Sequence, residues 1–146
     1  MNQPQYTLKA GESLRTYEFL SEGPKGEIVK KIQFTATNQP EVYNLAFGDR
    51  NPITGKIDDK VISNNGDSEM VLATVVAALY AFTDIHPEAW VYATGSTKSR
   101  TRLYRMGIAK YLEDVKADFR IYGQVGKAWK PFEKGVEYNS FLVRRK

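Results

Sequence analysis

Residues 67–87, DSEMVLATVVAALYAFTDIHP, decide the fold, because they predict one long apolar helix in a chain that otherwise favours strands. Apolar side chains recur there at helical spacing, namely at Leu72, Val75, Val76, Leu79 and Phe82. Alanines cover most of the remaining circumference, and a helix that is apolar nearly all round is buried on more than one side. Asp67 or Ser68 can cap its start, and His86 with Pro87 ends it.

The flanking segments have the patterning of β-strands. Alternation of apolar and polar residues predicts strands near residues 17–22, 28–35 and 43–47, and short apolar, aromatic or β-branched runs predict strands near residues 61–62, 90–94, 119–122 and 141–143. A second helix is predicted over 98–106 with Gly107 as its stop, a short one through 111–112, and an irregular segment over 126–135. The predicted class is α+β: an antiparallel sheet of about five to seven strands packed against one buried helix and one or two shorter helices.

Length and composition predict a single domain over residues 1–146, with residues 1–15 loosely ordered. The chain has 146 residues, 42% of them hydrophobic, which is ordinary globular usage. It has no cysteine, which excludes disulfides, thiolate metal sites and a cysteine nucleophile. The longest apolar run, residues 70–82, is shorter than a typical membrane-spanning helix, and residues 1–7 lack the basic region and the apolar region that are typical of a signal peptide. We therefore expect a cytoplasmic protein without a membrane partner.

Charge is distributed unevenly along the chain. Residues 1–94 contain 8 Lys+Arg and 12 Asp+Glu, a net charge of −4, whereas residues 95–146 contain 13 Lys+Arg and 5 Asp+Glu, a net charge of +8. Such asymmetry indicates a basic face for a polyanion. The alternative is that the two halves fold together and neutralise each other.

The strongest candidate site is the stretch TGSTKSRTR at residues 94–102, where a strand leads through a glycine and three hydroxyl residues into a helix. The free N–H groups at a helix N-terminus suit a phosphate or a carboxylate. The candidate ligand-binding residues are Gly95, Ser96, Thr97, Arg100, Arg102 and Arg105. The alternative is that Ser96 or Thr97 only caps the helix while the arginines pair with Asp58, Asp59 or Asp67.

Other chemistries have weaker support. Five carboxylates between residues 49 and 69 lack the spacing of a calcium loop, and turn or cap roles explain them. His86, the only histidine, precedes a proline, and no Gly-x-Ser-x-Gly motif accompanies it. We therefore predict no catalytic residue, no metal and no cofactor.

Aromatic side chains interleaved with lysine and arginine can stack on single-stranded bases. We expect Phe34, Phe47 and Trp90 in the core. Three other aromatic residues stay open as binding residues, namely Tyr104, Trp129 and Tyr138. The basic and aromatic run over residues 127–134 is a candidate binding loop, or else a solvated loop with anchoring aromatics.

Several stretches resemble a family of small bacterial proteins of unknown function: residues 61–67 (VISNNGD), 93–97 (ATGST), 100–107 (RTRLYRMG), 131–133 (PFE) and 141–143 (FLV). The resemblance implies a stand-alone bacterial protein and supplies no activity. Residues 103–108 (LYRMGI) also resemble the late helix of GNAT-type acetyltransferases, which implies Tyr104 as a general acid. The acyl-CoA pyrophosphate loop of those enzymes is missing from this chain.

The function that the sequence favours is non-enzymatic binding of a phosphate-bearing ligand, either a nucleic acid or a nucleotide, through the helix that follows Gly95. Two alternatives stay open: a protein–protein interaction module and an acyltransferase-like enzyme. A free strand edge would also allow a homodimer.

Overall fold

The structure, a computed structural model, describes residues 4–11, 15–58, 65–94 and 98–146, without the side chains of Ser99 and Arg100. Within these ranges the chain forms eight strands and three helices. The strands are β1 (Lys9–Ala10), β2 (Thr16–Gly23), β3 (Gly26–Ala36), β4 (Val42–Asp49), β5 (Trp90–Ala93), β6 (Phe119–Val125), β7 (Ala128–Pro131) and β8 (Ser140–Arg145). The helices are α1 (Ser68–Ile85), α2 (Lys98–Lys110) and α3 (Leu112–Asp118).

The strands form one sheet in the order β1-β2-β3-β4-β5-β8-β6-β7, which confirms the α+β class with more strands than predicted. The pairs β1–β2, β2–β3, β5–β8, β8–β6 and β6–β7 are antiparallel. The pair β4–β5 is parallel. A parallel pair needs a crossover of about a dozen residues or more, and the chain between β4 and β5 supplies it by running through α1.

Helix α1 begins and ends where its sequence predicts. The Val71 N–H donates to the carbonyl of Asp67 at 3.0 Å, which closes the first turn, and the helix ends at Ile85, directly before His86. By length and composition this 18-residue helix could cross a membrane, as could the core helices of many soluble proteins, and half of it is buried inside the protein.

The chain divides into two compact units, and unit 1 comprises Met1–Phe34 and Ala46–Phe82. Phe34 and Phe82 are fully buried there and their rings stack with centroids 4.1 Å apart. Burial of each such side chain stabilises the fold by about 1.5–3 kcal/mol. Helix α1 thus packs Phe82 against β3 in the aromatic core of unit 1.

Unit 2 comprises Thr35–Leu45 and Thr83–Lys146. Its sheet is built from β5, β8, β6 and β7, with part of β4 paired to β5. The face that carries Val91, Phe141 and Val143 is buried. The ring of Tyr138 lies so close to Gly123 that a Cβ there would be 2.3 Å from a ring carbon. Only glycine allows this approach.

Two local predictions are wrong. Helix α2 does not stop at Gly107 but continues to Lys110, because the Gly107 carbonyl accepts from the Tyr111 N–H at 3.1 Å and the turn is completed. Residues 128–131 are not irregular but form β7, a hairpin partner of β6 whose turn contains Gly126 at positive φ. The strand predicted at residues 61–62 lies outside the described residues.

Candidate functional site

Helix α2 carries the part of the predicted anion site that the structure describes. The loop Gly95, Ser96 and Thr97 and the side chain of Arg100 lie outside the described residues. Arg102 is exposed, and Arg105 is half-buried with its Nη1 3.7 Å from Oε1 of Glu137. Because Glu137 is 92% exposed, this surface ion pair contributes about 0–1 kcal/mol, and an incoming phosphate could replace the Glu137 carboxylate.

A second arrangement lies on the sheet of unit 2, whose two faces differ in exposure. Strand register determines the faces, because directly paired residues point to the same side. Arg144 of β8 is paired with Trp90 of β5 and with Arg120 of β6. Leu142 is paired with Tyr92 and with Tyr122 in the same way.

We call this side the open face and define it by its exposed or half-buried side chains, which are Trp90, Tyr92, Arg120, Tyr122, Trp129, Leu142 and Arg144. The other side of the same strands is buried, with Val91 and Phe141 each 1% exposed. The alternation separates a core face from a face that reaches solvent.

Four aromatic rings from three strands lie close together on the open face. The ring centroids of Trp90 and Tyr122 are 6.0 Å apart and those of Tyr92 and Trp129 are 6.1 Å apart. The hydroxyl of Tyr92 lies 2.9 Å from Oγ of Ser140 and forms a hydrogen bond with it. These contacts restrain the rings while leaving Trp129 39% exposed.

Two arginines accompany the rings. The guanidinium carbon of Arg144 lies 5.1 Å from the centroid of the Trp90 ring, within the range of a cation–π interaction. Arg144 also donates to Oε2 of Glu88 at 2.9 Å. Arg120 is exposed on the neighbouring strand. The open face therefore combines planar apolar rings with guanidinium groups.

Unit 1 contains a buried ion pair that was not predicted from the sequence. Lys30, 1% exposed, donates to Oδ1 of Asp49. Alternation along β3 places Lys30 on the same face as the buried residues Ile32 and Phe34. That position is the signal that could have identified it. A lysine is almost never fully buried unless it is paired.

A polar cluster anchors the N-terminal segment of unit 1. The Tyr6 hydroxyl and the Ser21 hydroxyl each donate to Oδ2 of Asp67 at 2.5 Å. The Tyr6 N–H donates to Oγ1 of Thr74 at 2.9 Å. Partial burial, and then the hydrogen bond to Asp67, raise the pKa of Tyr6 above its ordinary value of 10.0. Asp67 thus accepts hydrogen bonds from a tyrosine and a serine.

The remaining predicted residues have structural positions. Tyr104 and Tyr138 are buried, at 7% and 6% exposure, whereas Trp129 lies on the open face. Trp90, predicted as core, is half-buried on the open face. His86 lies beside the Tyr43 ring, with centroids 5.7 Å apart. Among the described residues no group of three or more His, Asp and Glu side chains could hold a metal.

Alternation within β5 and within β6 marks parts of the open face in the sequence. Trp90 and Tyr92 are two residues apart on β5, and Arg120 and Tyr122 are two residues apart on β6. Side chains two apart on a strand share a face. The pairing of β8 between β5 and β6 brings the two sets together, and that pairing is not encoded locally.

Comparison with known proteins assigns the chain to a family. The chain has no significant match among the curated proteins and none among the solved structures. A family model matches residues 2–146, which is almost the entire chain. The resemblance to a family of unknown function is thereby confirmed. The chain belongs to the family of unknown function DUF6934.

Proposed function

We propose that this protein is a non-enzymatic binding protein for a phosphate-bearing ligand, a nucleic acid or a nucleotide. The observation that carries the proposal is the charge of unit 2. Its two segments contain 13 Lys+Arg and 8 Asp+Glu, a net charge of +5, whereas unit 1 contains 8 Lys+Arg and 9 Asp+Glu, a net charge of −1. A basic surface attracts polyanions through electrostatic steering.

The positive charge of unit 2 is on its surface. Acids of unit 2 pair with Arg105, Lys116, Arg144 and Arg145. Other cations of unit 2 are exposed, among them Lys98, Arg102, Arg120, Lys127, Lys130 and Lys134. Arginine suits phosphate because its planar fork donates two parallel hydrogen bonds.

The experiment is a thermal-shift and titration panel at low salt. The ligands are inorganic polyphosphate, ATP, CoA and single-stranded DNA and RNA oligomers. A ligand at 100 times its Kd should stabilise the fold by about 2.7 kcal/mol, which is several degrees for a domain of this size. Recovery of the ligand unchanged after incubation tests the non-enzymatic part of the proposal.

A double variant on α2 tests the residues. We expect Arg102→Ala/Arg105→Ala to weaken binding and to flatten the dependence of affinity on salt. The matched control, Lys25→Ala/Lys56→Ala, removes two exposed cations from unit 1 and should bind as wild type. If no anion shifts the midpoint, the proposal is wrong, and a protein partner becomes the next candidate.

A further inference from the structure

We infer that the open face binds single-stranded nucleic acid, with bases stacked on its rings and phosphates held by its arginines. The inference rests on the proposed function and names its ligand class and site. The site is separate from the α2 residues, because it is built on β5, β8, β6 and β7. Strands hold such side chains more firmly than a loop does.

The rings are placed for stacking. Trp90, Tyr92, Tyr122 and Trp129 come from three strands of one sheet, and none of them is fully buried. Rings that served only the core would be covered, as Phe119 and Phe141 are on the opposite side at 1% exposure. Every base has a π-face, so an aromatic platform accepts bases with little dependence on sequence.

The arginines favour a nucleic acid over an uncharged apolar partner. Arg144 is paired with Trp90 on one neighbouring strand and with Arg120 on the other, so the three residues form one row across the sheet. Unit 2 has a net charge of +5 from 13 Lys+Arg and 8 Asp+Glu. An apolar protein surface would offer no anion to the two guanidinium groups, whereas a phosphate backbone supplies one at every nucleotide.

The shape of the face favours a single strand over a duplex. The bases of a duplex are stacked on one another, out of reach of protein rings, whereas unpaired bases can stack on the aromatic side chains of a sheet face. Four-stranded sheets that bind RNA stack two or three unpaired bases. The distance from β5 to β7 is three strand spacings, about 14 Å, which is long enough for such a platform.

The tryptophans supply a direct readout. The chain contains two tryptophans, and both Trp90 and Trp129 belong to the open face. Base stacking therefore changes the whole intrinsic tryptophan emission of the protein. Unlabelled single-stranded DNA and RNA oligomers, a duplex of the same sequence and inorganic polyphosphate are titrated against the full chain at low salt. We expect the single strands to bind tightest and to quench the emission.

Three variants and one control sharpen the test. Trp129→Ala should weaken binding of the single strand roughly 5- to 140-fold, as loss of one stacked base does, and Trp129→Phe should restore most of it. Glu88→Gln removes the carboxylate that pairs with Arg144 and should tighten binding about two- to fivefold. Met106→Ala, which truncates an exposed apolar residue on α2, is the matched control and should have no effect.

The outcomes separate this inference from the proposed function. If DNA or RNA quenches the emission and Trp129→Ala weakens the binding, the inference is supported. The oligomer that binds more tightly then shows whether the ligand is DNA or RNA. If polyphosphate and single strands bind alike without quenching, or the duplex binds as tightly as the single strand, the open face is not the site although unit 2 binds anions. If no anion binds, both the inference and the proposed function are wrong.

Discussion

Lys30 is a charged residue buried in the core of unit 1. It lies between apolar neighbours of β3 at 1% exposure and is paired with Asp49. The desolvation of two such charges offsets much of their attraction, so the pair adds little net stability. Removal of one partner is different, because the other charge is then left buried and uncompensated.

We therefore predict that Lys30→Met lowers the free energy of unfolding by about 3–5 kcal/mol. The measurement is urea denaturation followed by circular dichroism. The double variant Lys30→Met/Asp49→Leu should recover a large part of the loss, since neither charge remains. A single variant as stable as wild type would contradict the interpretation of the pair as mutually dependent.

Position 123 requires a glycine because the ring of Tyr138 packs against it. A Cβ at this position would lie 2.3 Å from the Tyr138 ring, and the Tyr138 hydroxyl is held by the Glu133 N–H at 2.9 Å. We predict that Gly123→Ala costs about 1–3 kcal/mol through overpacking. Thermal denaturation measures it. Tyr138→Phe, which removes only the hydroxyl, should cost about 1 kcal/mol.

At the scale of elements, the N-terminal segment is fastened to unit 1 by Tyr6. Its ring stacks on Phe19 with centroids 5.6 Å apart, and its hydroxyl donates to Asp67. Partial burial and the hydrogen bond to Asp67 raise the pKa of Tyr6 above 10.0. The folded state therefore holds its proton at a pH where the unfolded chain has lost it.

The sign of the pH dependence follows from this difference. The contribution of the Tyr6 proton is fully present below about pH 10 and is lost as pH rises through the folded pKa. We predict that the stability of wild type falls more steeply above pH 10 than that of Tyr6→Phe. Chemical denaturation of both proteins between pH 8 and 11 measures the difference in slope. Parallel curves would exclude Tyr6 as the titrating group.

Elements with strong local signals could be predicted, and elements defined by pairing could not. Helix α1 was predictable because its apolar period and its terminal residues agree. Helix α2 extends past Gly107 because completion of the turn outweighs the cost of one glycine, about 1 kcal/mol. Strand β7 has no alternation of its own, since its four residues are all exposed, and it forms by pairing with β6. The open face depends on that same pairing.

For the whole molecule, the charge belongs to units rather than to halves of the sequence. The first half of the sequence, with 8 Lys+Arg and 12 Asp+Glu, has a net charge of −4, and the second half, with 13 and 5, has +8. Unit 1, with 8 Lys+Arg and 9 Asp+Glu, has a net charge of −1, and unit 2, with 13 and 8, has +5. The negative net charge shrinks from −4 to −1, whereas the positive net charge shrinks only from +8 to +5. Unit 2 is therefore where a polyanion should be sought.

The lysines around β7 test whether the positive charge of unit 2 attracts the polyanion. We predict that Lys127→Gln/Lys130→Gln/Lys134→Gln lowers the slope of log affinity against log salt by up to about 2, or roughly 0.7 for each phosphate of a single strand that the variant no longer neutralises. The control, Lys9→Gln/Lys25→Gln/Lys56→Gln, makes the same change in net charge within unit 1. Equal slopes for the two triple variants would show that only overall charge matters.

The position of β8 affects the order in which the sheet can form. It follows β6 and β7 along the chain but lies between β5 and β6. During synthesis, β5 and β6 are made before the strand that joins them. Two strand edges therefore stay open for pairing until residues 140–145 emerge, and such edges are prone to wrong contacts. Completion of this region is a late, long-range event, which slows folding.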